Sequence, residues 1–217
     1  MPAPCFGDRV WCLEFWGNKG RDRGILGHGP LYREGEEKSF GAVTDGLSNT
    51  LFASESCVTS GEGNRQYKSV VAERISGIVD RASDCAATRS AGGELRTDVG
   101  VLAGGGRECG WSWTRNSMFS TAFMCALPPN SPSCCESDWD GHGLFLSASS
   151  HHPGGVSFAR LDGSAGFASD SISAGDSTRN LGATFGYSGR SNEYNGPSDM
   201  GVWGAMATID QGESVSF

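Results

Sequence analysis

The sequence predicts an α+β protein dominated by β-structure: an antiparallel sheet with a C-terminal β-hairpin and long, disulfide-pinned loops. Three observations predict it. Glycine supplies 33 of 217 residues without any fixed period, which reads as many turns between short strands rather than as a collagen repeat. Eight cysteines are present with no Cys-x-x-Cys pair, which fits disulfides in an oxidising compartment better than a zinc ribbon or a redox motif. Residues 149–172 then alternate as a strand, turn and strand.

That hairpin is the clearest local signal. Val156, Phe158 and Arg160 fall on one side of a strand, and Ser157, Ala159 and Leu161 on the other. Asp162-Gly163 reads as a two-residue type I′ turn, which needs positive φ at both positions. The return strand runs from Ser164 to about Ile172. In this register Leu161 faces Ser164 and Gly155 faces Asp170. Asp170 therefore lies close to His152, and a His152–Asp170 hydrogen bond is expected to pin the start of the hairpin, a structural use of histidine.

Length suits one globular unit over 1–217, with 1–40 an irregular lead-in and 41–217 the sheet-based core. Thr44-Asp45-Gly46-Leu47-Ser48-Asn49-Thr50 is a polar turn in which Asp45 and Ser48 can bond local backbone amides. It leads into a strand at Thr50-Leu51-Phe52-Ala53. Tyr67 to Ile78 has a weak helical pattern, with Val70, Val71 and Ile75 on one face. Val99 to Leu102 reads as a strand. Pro128, Pro129 and Pro132 exclude regular structure around them. Residues 175–217 read as glycine-rich loop ending in an edge strand at Glu213–Phe217.

Net charge is −8 and the sequence holds no dense basic run, so nucleic-acid binding is not expected. No run of 18 apolar residues offers a membrane span. Met1-Pro2-Ala3-Pro4 does not look like an export signal, and a disulfide-rich composition without one leads to the expectation that a natural N-terminal segment precedes this chain. The disulfide candidates are Cys5, Cys12, Cys57, Cys85, Cys109, Cys125, Cys134 and Cys135. Their pairing is open, with on the order of 100 combinations; adjacent Cys134 and Cys135 should take different partners.

Three segments together resemble one family. They are Thr44 to Thr50, then Leu127-Pro128-Pro129-Asn130-Ser131-Pro132-Ser133-Cys134, then Ser150-His151-His152-Pro153-Gly154-Gly155 with Asp162-Gly163. Nine residues separate His152 from Asp162. This is similar to the prepilin-type, His-x9-Asp-Gly family of unknown function, abundant in Planctomycetes and their relatives. Trp203-Gly204-Ala205 followed by Gly212-Glu213 matches its closing segment. The resemblance covers roughly 40–57 and 108–217. It implies an extracytoplasmic setting (cell surface, periplasm or secreted) and a pilin- or pseudopilin-like role in a surface filament or secretion apparatus, with self-assembly or other pilin-like subunits as partners. The motif residues it marks are Asp45, Gly46, Ser48, Asn49, His152, Pro153, Gly154, Gly155, Asp162 and Gly163.

Catalytic and ligand-binding readings are weaker. A strand over 156–161 is about 20 Å long at ~3.3 Å per residue, so His152 and Asp162 sit at its opposite ends and share no site. Asp138-Trp139-Asp140-Gly141-His142 resembles half of a calcium loop, but the twelfth position, counted from Asp138, is Ser149, not the bidentate acid an EF-hand needs. A different calcium site at Asp138 and Asp140 stays open, since secretion pseudopilins often carry calcium near their C-terminal sheet. No nucleophile elbow, phosphate loop or dinucleotide fingerprint occurs. Trp111, Trp113 and Trp139 could stack on a carbohydrate, though core filling is the plainer use of such rings. The expectation is a structural or assembly protein rather than an enzyme, with no cofactor. The alternative is an extracellular carbohydrate- or solute-binding module; a hydrolase with an unrecognised site comes third.

Overall fold

The computed structural model describes residues 2–5, 39–59, 61, 63–78, 81–102, 109–110, 122–137, 144–178 and 198–212. Eight strands appear among them: β1 Pro2–Pro4, β2 Leu51–Glu55, β3 Val71–Glu73, β4 Gly100–Val101, β5 Ser133–Cys135, β6 Leu144–Phe145, β7 Gly155–Arg160 and β8 Ala165–Ser169. They form two sheets, ordered β1-β2-β7-β8 and β4-β3-β5-β6. The first sheet is antiparallel throughout. The second is antiparallel except where β3 pairs with β5 in parallel. Two short helices join them, α1 Ala82–Ala86 and α2 Gly201–Ala205, with a 3-10 turn at Phe40–Ala42. The β-dominant α+β class is therefore what the chain adopts.

The long hairpin forms because its alternation is real. Val156 and Phe158 face a core, Ser157 faces solvent, and on β8 only Ala168 is buried. That core centres on Trp203 of α2, which is fully buried. Its ring stacks on Phe123 at 6.1 Å and meets Phe158 edge-on at 6.4 Å, with Leu51, Val156 and Met206 around it. A second core lies beside the other sheet, where Val70, Ala72, Ile78, Leu95 and Phe145 pack with α1. Within it Cys85 of α1 is bonded to Cys134 of β5 across 49 residues.

Several details differ from the sequence expectation. The hairpin register pairs Gly155 with Ser169 and Ala159 with Ala165, one residue from the expected pairing. The tip is a three-residue loop rather than a two-residue type I′ turn: the Arg160 N–H donates to the Ser164 carbonyl and the Gly163 N–H to the Arg160 carbonyl. Only Gly163 takes positive φ, +83°. Asp162 keeps negative φ and accepts the Ser164 N–H at 2.9 Å. This is a type I turn closed by a left-handed glycine, the other common way to end a hairpin.

Residues 67–78 form turns around β3 instead of a helix. Val71 and Ala72 are recruited by Ser133 and Cys134, a partner more than 60 residues away that local periodicity does not contain. Pro2–Pro4 makes a strand within the expected lead-in; as an edge strand, it tolerates prolines that cannot donate to a ladder. The 175–217 stretch holds α2 and so is more than loop. The expected terminal strand at 213–217 lies outside the described residues.

Glycine is required at two places in the hairpin for different reasons. A Cβ on Gly155 would stand 2.0 Å from the Ala168 carbonyl oxygen, whereas a Cβ on Gly163 would meet nothing within 4 Å. Gly163→Ala should therefore cost about 1 kcal/mol, the backbone term alone. Gly155→Ala should cost about 2–3 kcal/mol, as for overpacking. Urea denaturation of the two variants checks this, and equal losses would contradict the steric argument.

Candidate functional site

The motif segments gather at the two ends of β7. At its N-terminal end, Pro128-Pro129 delivers Asn130 into a left-handed conformation, φ +59°, which asparagine tolerates better than most residues. The buried Asn130 side chain then joins three pieces of chain. Its Oδ1 accepts the Ser150 N–H at 2.8 Å. Its Nδ2 donates to Asp170 Oδ1 at 2.6 Å and to the Gly155 carbonyl at 3.3 Å. Its own N–H donates to the Ala148 carbonyl.

Beside it, β2 ends in Glu55. The Glu55 Oε2 accepts the Ser157 N–H at 2.7 Å, and Oε1 lies 3.1 Å from His152 Nε2. Burial pushes the Glu55 carboxyl up, but the Ser157 N–H, the Ser150 hydroxyl and the His152 ring outweigh it and hold the group below its usual value. Ser150 accepts the His152 N–H at Oγ and the Lys68 ammonium at its carbonyl. Ser149 Oγ accepts the Cys57 N–H at 2.9 Å.

The expected His152–Asp170 bond is thus replaced by two others, His152 with Glu55 and Asp170 with Asn130. The corrected register explains it: Gly155 faces Ser169, and Asp170 lies past the strand with its N–H bonded to the Gly154 carbonyl. Pro153 and Gly154 make the turn ahead of β7, Gly154 at φ +81°. Glu55 and Lys68 lie in no recognisable spacing. Ser150 and Asn130 fall inside the motif segments, but nothing in the sequence marks either of them as a clamp.

At the C-terminal end of β7, the 44–50 turn acts over long range. Asp45 is buried, and its two oxygens accept the N–H groups of Gln211 and Gly212 at 3.0 and 2.7 Å. These partners lie 166 and 167 residues away, not in the local turn as expected. Locally, Asn49 Nδ2 donates to the Asp45 carbonyl and Thr50 Oγ1 to the Gly46 carbonyl, with Gly46 at φ +97°. Ser48 is exposed. The hairpin tip docks here: the Asp162 N–H donates to the Leu47 carbonyl and the Leu161 N–H to the Thr50 carbonyl.

In this arrangement the Ser150 hydroxyl meets a carboxylate rather than an imidazole, so no serine–histidine relay is assembled. Among the described residues no three His, Cys, Asp or Glu side chains come together as a metal cluster would require. Asp138, Asp140, Trp111, Trp113, Trp139 and Cys12 lie outside the described residues. Cys5, Cys57, Cys109, Cys125 and Cys135 are all buried. Tyr67 packs under the Arg89 guanidinium at 4.4 Å, and burial raises its phenol.

Three outcomes are expected. Asn130→Gly keeps the left-handed backbone but strands the buried Ser150 N–H, and should cost about 2–3 kcal/mol in chemical denaturation; a loss under about 0.5 kcal/mol would show the amide is dispensable. His152→Ala should cost less than about 1 kcal/mol, because the His152 side chain is 60% exposed and an exposed pair contributes little. Glu55 has a folded value below its unfolded one, near 4.5, so its contribution is complete above that pH and lost as pH falls through the folded value. Glu55→Gln should therefore flatten the acid fall in Tm between about pH 6 and about pH 3. An unchanged acid profile would remove Glu55 from the account.

Neither a curated protein nor a solved structure gives a significant match. A protein-family pattern described as "Protein of unknown function (DUF1559)" matches residues 4–175, a span that contains β2, the proline loop, the whole hairpin and most of both motif clusters. The chain belongs to this DUF1559 family of unknown function.

Proposed function

We propose that the protein is an extracytoplasmic structural or assembly subunit of the pilin or pseudopilin kind, working through contacts with like subunits rather than by catalysis. One observation carries the reading: several polar side chains in and beside the motif segments are spent on holding backbone. Asn130, Asp45, Glu55 and Ser149 each accept or donate to main-chain groups of a distant segment. Reactive sites instead keep a polar group aimed at open space for a substrate. The Cys85–Cys134 disulfide supports an oxidising location. The His-x9-Asp-Gly spacing then has a mechanical meaning, since it sets β7 between its two clamped ends. The family match supports the relationship at the level of DUF1559, and the prepilin-type assignment is the finer part of this proposal.

The test is photo-cross-linking in cells from an exposed position of the first sheet. Phe52 and Phe167 are 44% and 53% exposed. A photoreactive residue at either should give adducts of the protein with itself or with pilin-like subunits, in the surface or periplasmic fraction. Recovery as an unlinked cytosolic protein with reducible-free, fully alkylatable thiols would overturn the reading.

A further inference from the structure

Two cysteines outside the disulfide already described sit on backbone segments that touch. Cys57 follows β2 directly, and Cys109 sits in the short described piece 109–110; both are buried, at 5% and 6% exposure. The Thr59 N–H donates to the Cys109 carbonyl at 3.2 Å. Val58 and Gly110 touch so closely that a Cβ on Gly110 would stand 3.3 Å from the Val58 Cα and 2.8 Å from its methyl carbon. Cys57 and Cys109 are the residues immediately before that touching pair. Burial pushes the Cys109 thiol up to about 12, and the nearby Cys57 adds to the rise.

We infer that Cys57 and Cys109 form a second structural disulfide, tying the end of β2 to the segment that holds Gly110. A disulfide needs its two Cα atoms within roughly 7 Å, and the Thr59–Cys109 hydrogen bond with the Val58–Gly110 contact is the ground for placing the pair within that reach. The bond would fix the strand end that carries Glu55, two residues before Cys57. It rests in the cell on the oxidising location proposed above; the pairing itself does not.

The chemistry balances with a disulfide oxidant, either an oxidoreductase's disulfide or glutathione disulfide. The Cys57 thiol loses its proton and attacks the oxidant's S–S bond, giving a mixed disulfide and releasing one thiol. The Cys109 thiol loses its proton, attacks the Cys57 sulfur and releases the second thiol. Two electrons pass to the oxidant, which ends as two thiols. Thiolates carry the exchange, and burial raises both thiols. Once formed, the bond is shielded, because both residues are buried.

The experiment is tryptic mapping of the whole chain, because cleavage isolates both residues. Residues 39–65 contain Cys57 as their one cysteine, and residues 108–115 contain Cys109 as theirs. Denatured, reduced protein is refolded with glutathione disulfide, its residual thiols are alkylated, and it is digested without reductant. A linked 39–65/108–115 pair that reduction splits is the expected result. Both peptides alkylated, or either joined to a different cysteine, would overturn the pairing. The same map on protein taken from its native cells separates the two proposals: reduced Cys57 and Cys109 there, with the link present after refolding, would sink the location and leave the pairing intact. As a second readout, Cys57→Ser, Cys109→Ser and the double variant should lower Tm equally if the sulfurs share one bond. Additive losses would mean two independent thiols.

Discussion

The structure depends first on one planar amide. Asn130 holds a left-handed backbone position and at the same time offers an acceptor to Ser150 N–H and donors to Asp170 and to the Gly155 carbonyl. Few residues can do both. Glycine takes the backbone angle but brings no amide, and aspartate brings acceptors without a donor, facing another carboxylate. Because the amide reaches three segments at once, it sets where the proline loop ends, where β7 begins and where β8 leaves. The hairpin can then carry Val156 and Phe158 onto Trp203 without an extended run of regular structure to guide it.

This solution suits a chain whose hydrophobic residues make up only 37%. Among the described residues several modest clusters, the Trp203 core and the one beside α1 among them, sit between short strands. Long loops cost entropy to close, and their backbone groups must find partners when buried. Side chains from far away answer that need. Asp45 takes two consecutive N–H groups near the C-terminal end of the described chain, while Cys85–Cys134 anchors α1 to the second sheet. Both ends of β7 are therefore held by contacts between segments distant in sequence, which makes the hairpin the frame on which the rest is hung.

How much of this was legible in the sequence follows the range of the interactions. The hairpin was readable because alternation and the Asp162-Gly163 turn are local. Its register was one residue off, since an Asp-Gly pair fits both a two-residue loop and a type I turn with a left-handed glycine, and the pair itself does not say which. The β3 strand was read as helix because Val70, Val71 and Ile75 satisfy helical spacing, while the Ser133–Cys135 strand that captures Val71 and Ala72 lies far along the chain. Of the candidate site, Asp45 and His152 were visible and their partners were not. Asp45 looked like an ordinary turn residue until Gln211 and Gly212 arrived beside it, and Glu55 carried no spacing signal at all.

The same range argument bears on function. A histidine, a serine, two aspartates and a glutamate recurring in motif segments invite a catalytic reading, yet the work of each is fixed by what it already holds. A general base near neutrality needs a carboxyl raised toward the working pH and free to receive a proton. Glu55 is held in the opposite direction by the Ser157 N–H, the Ser150 hydroxyl and the His152 ring, and Asp45 has each oxygen occupied by a main-chain N–H. Carboxylates bound in this way cannot leave their partners without releasing a strand end. Loss of these side chains would loosen the hairpin before it altered any chemistry. In the proposed assembly role the contact surface would include the exposed Phe52 and Phe167 of the first sheet.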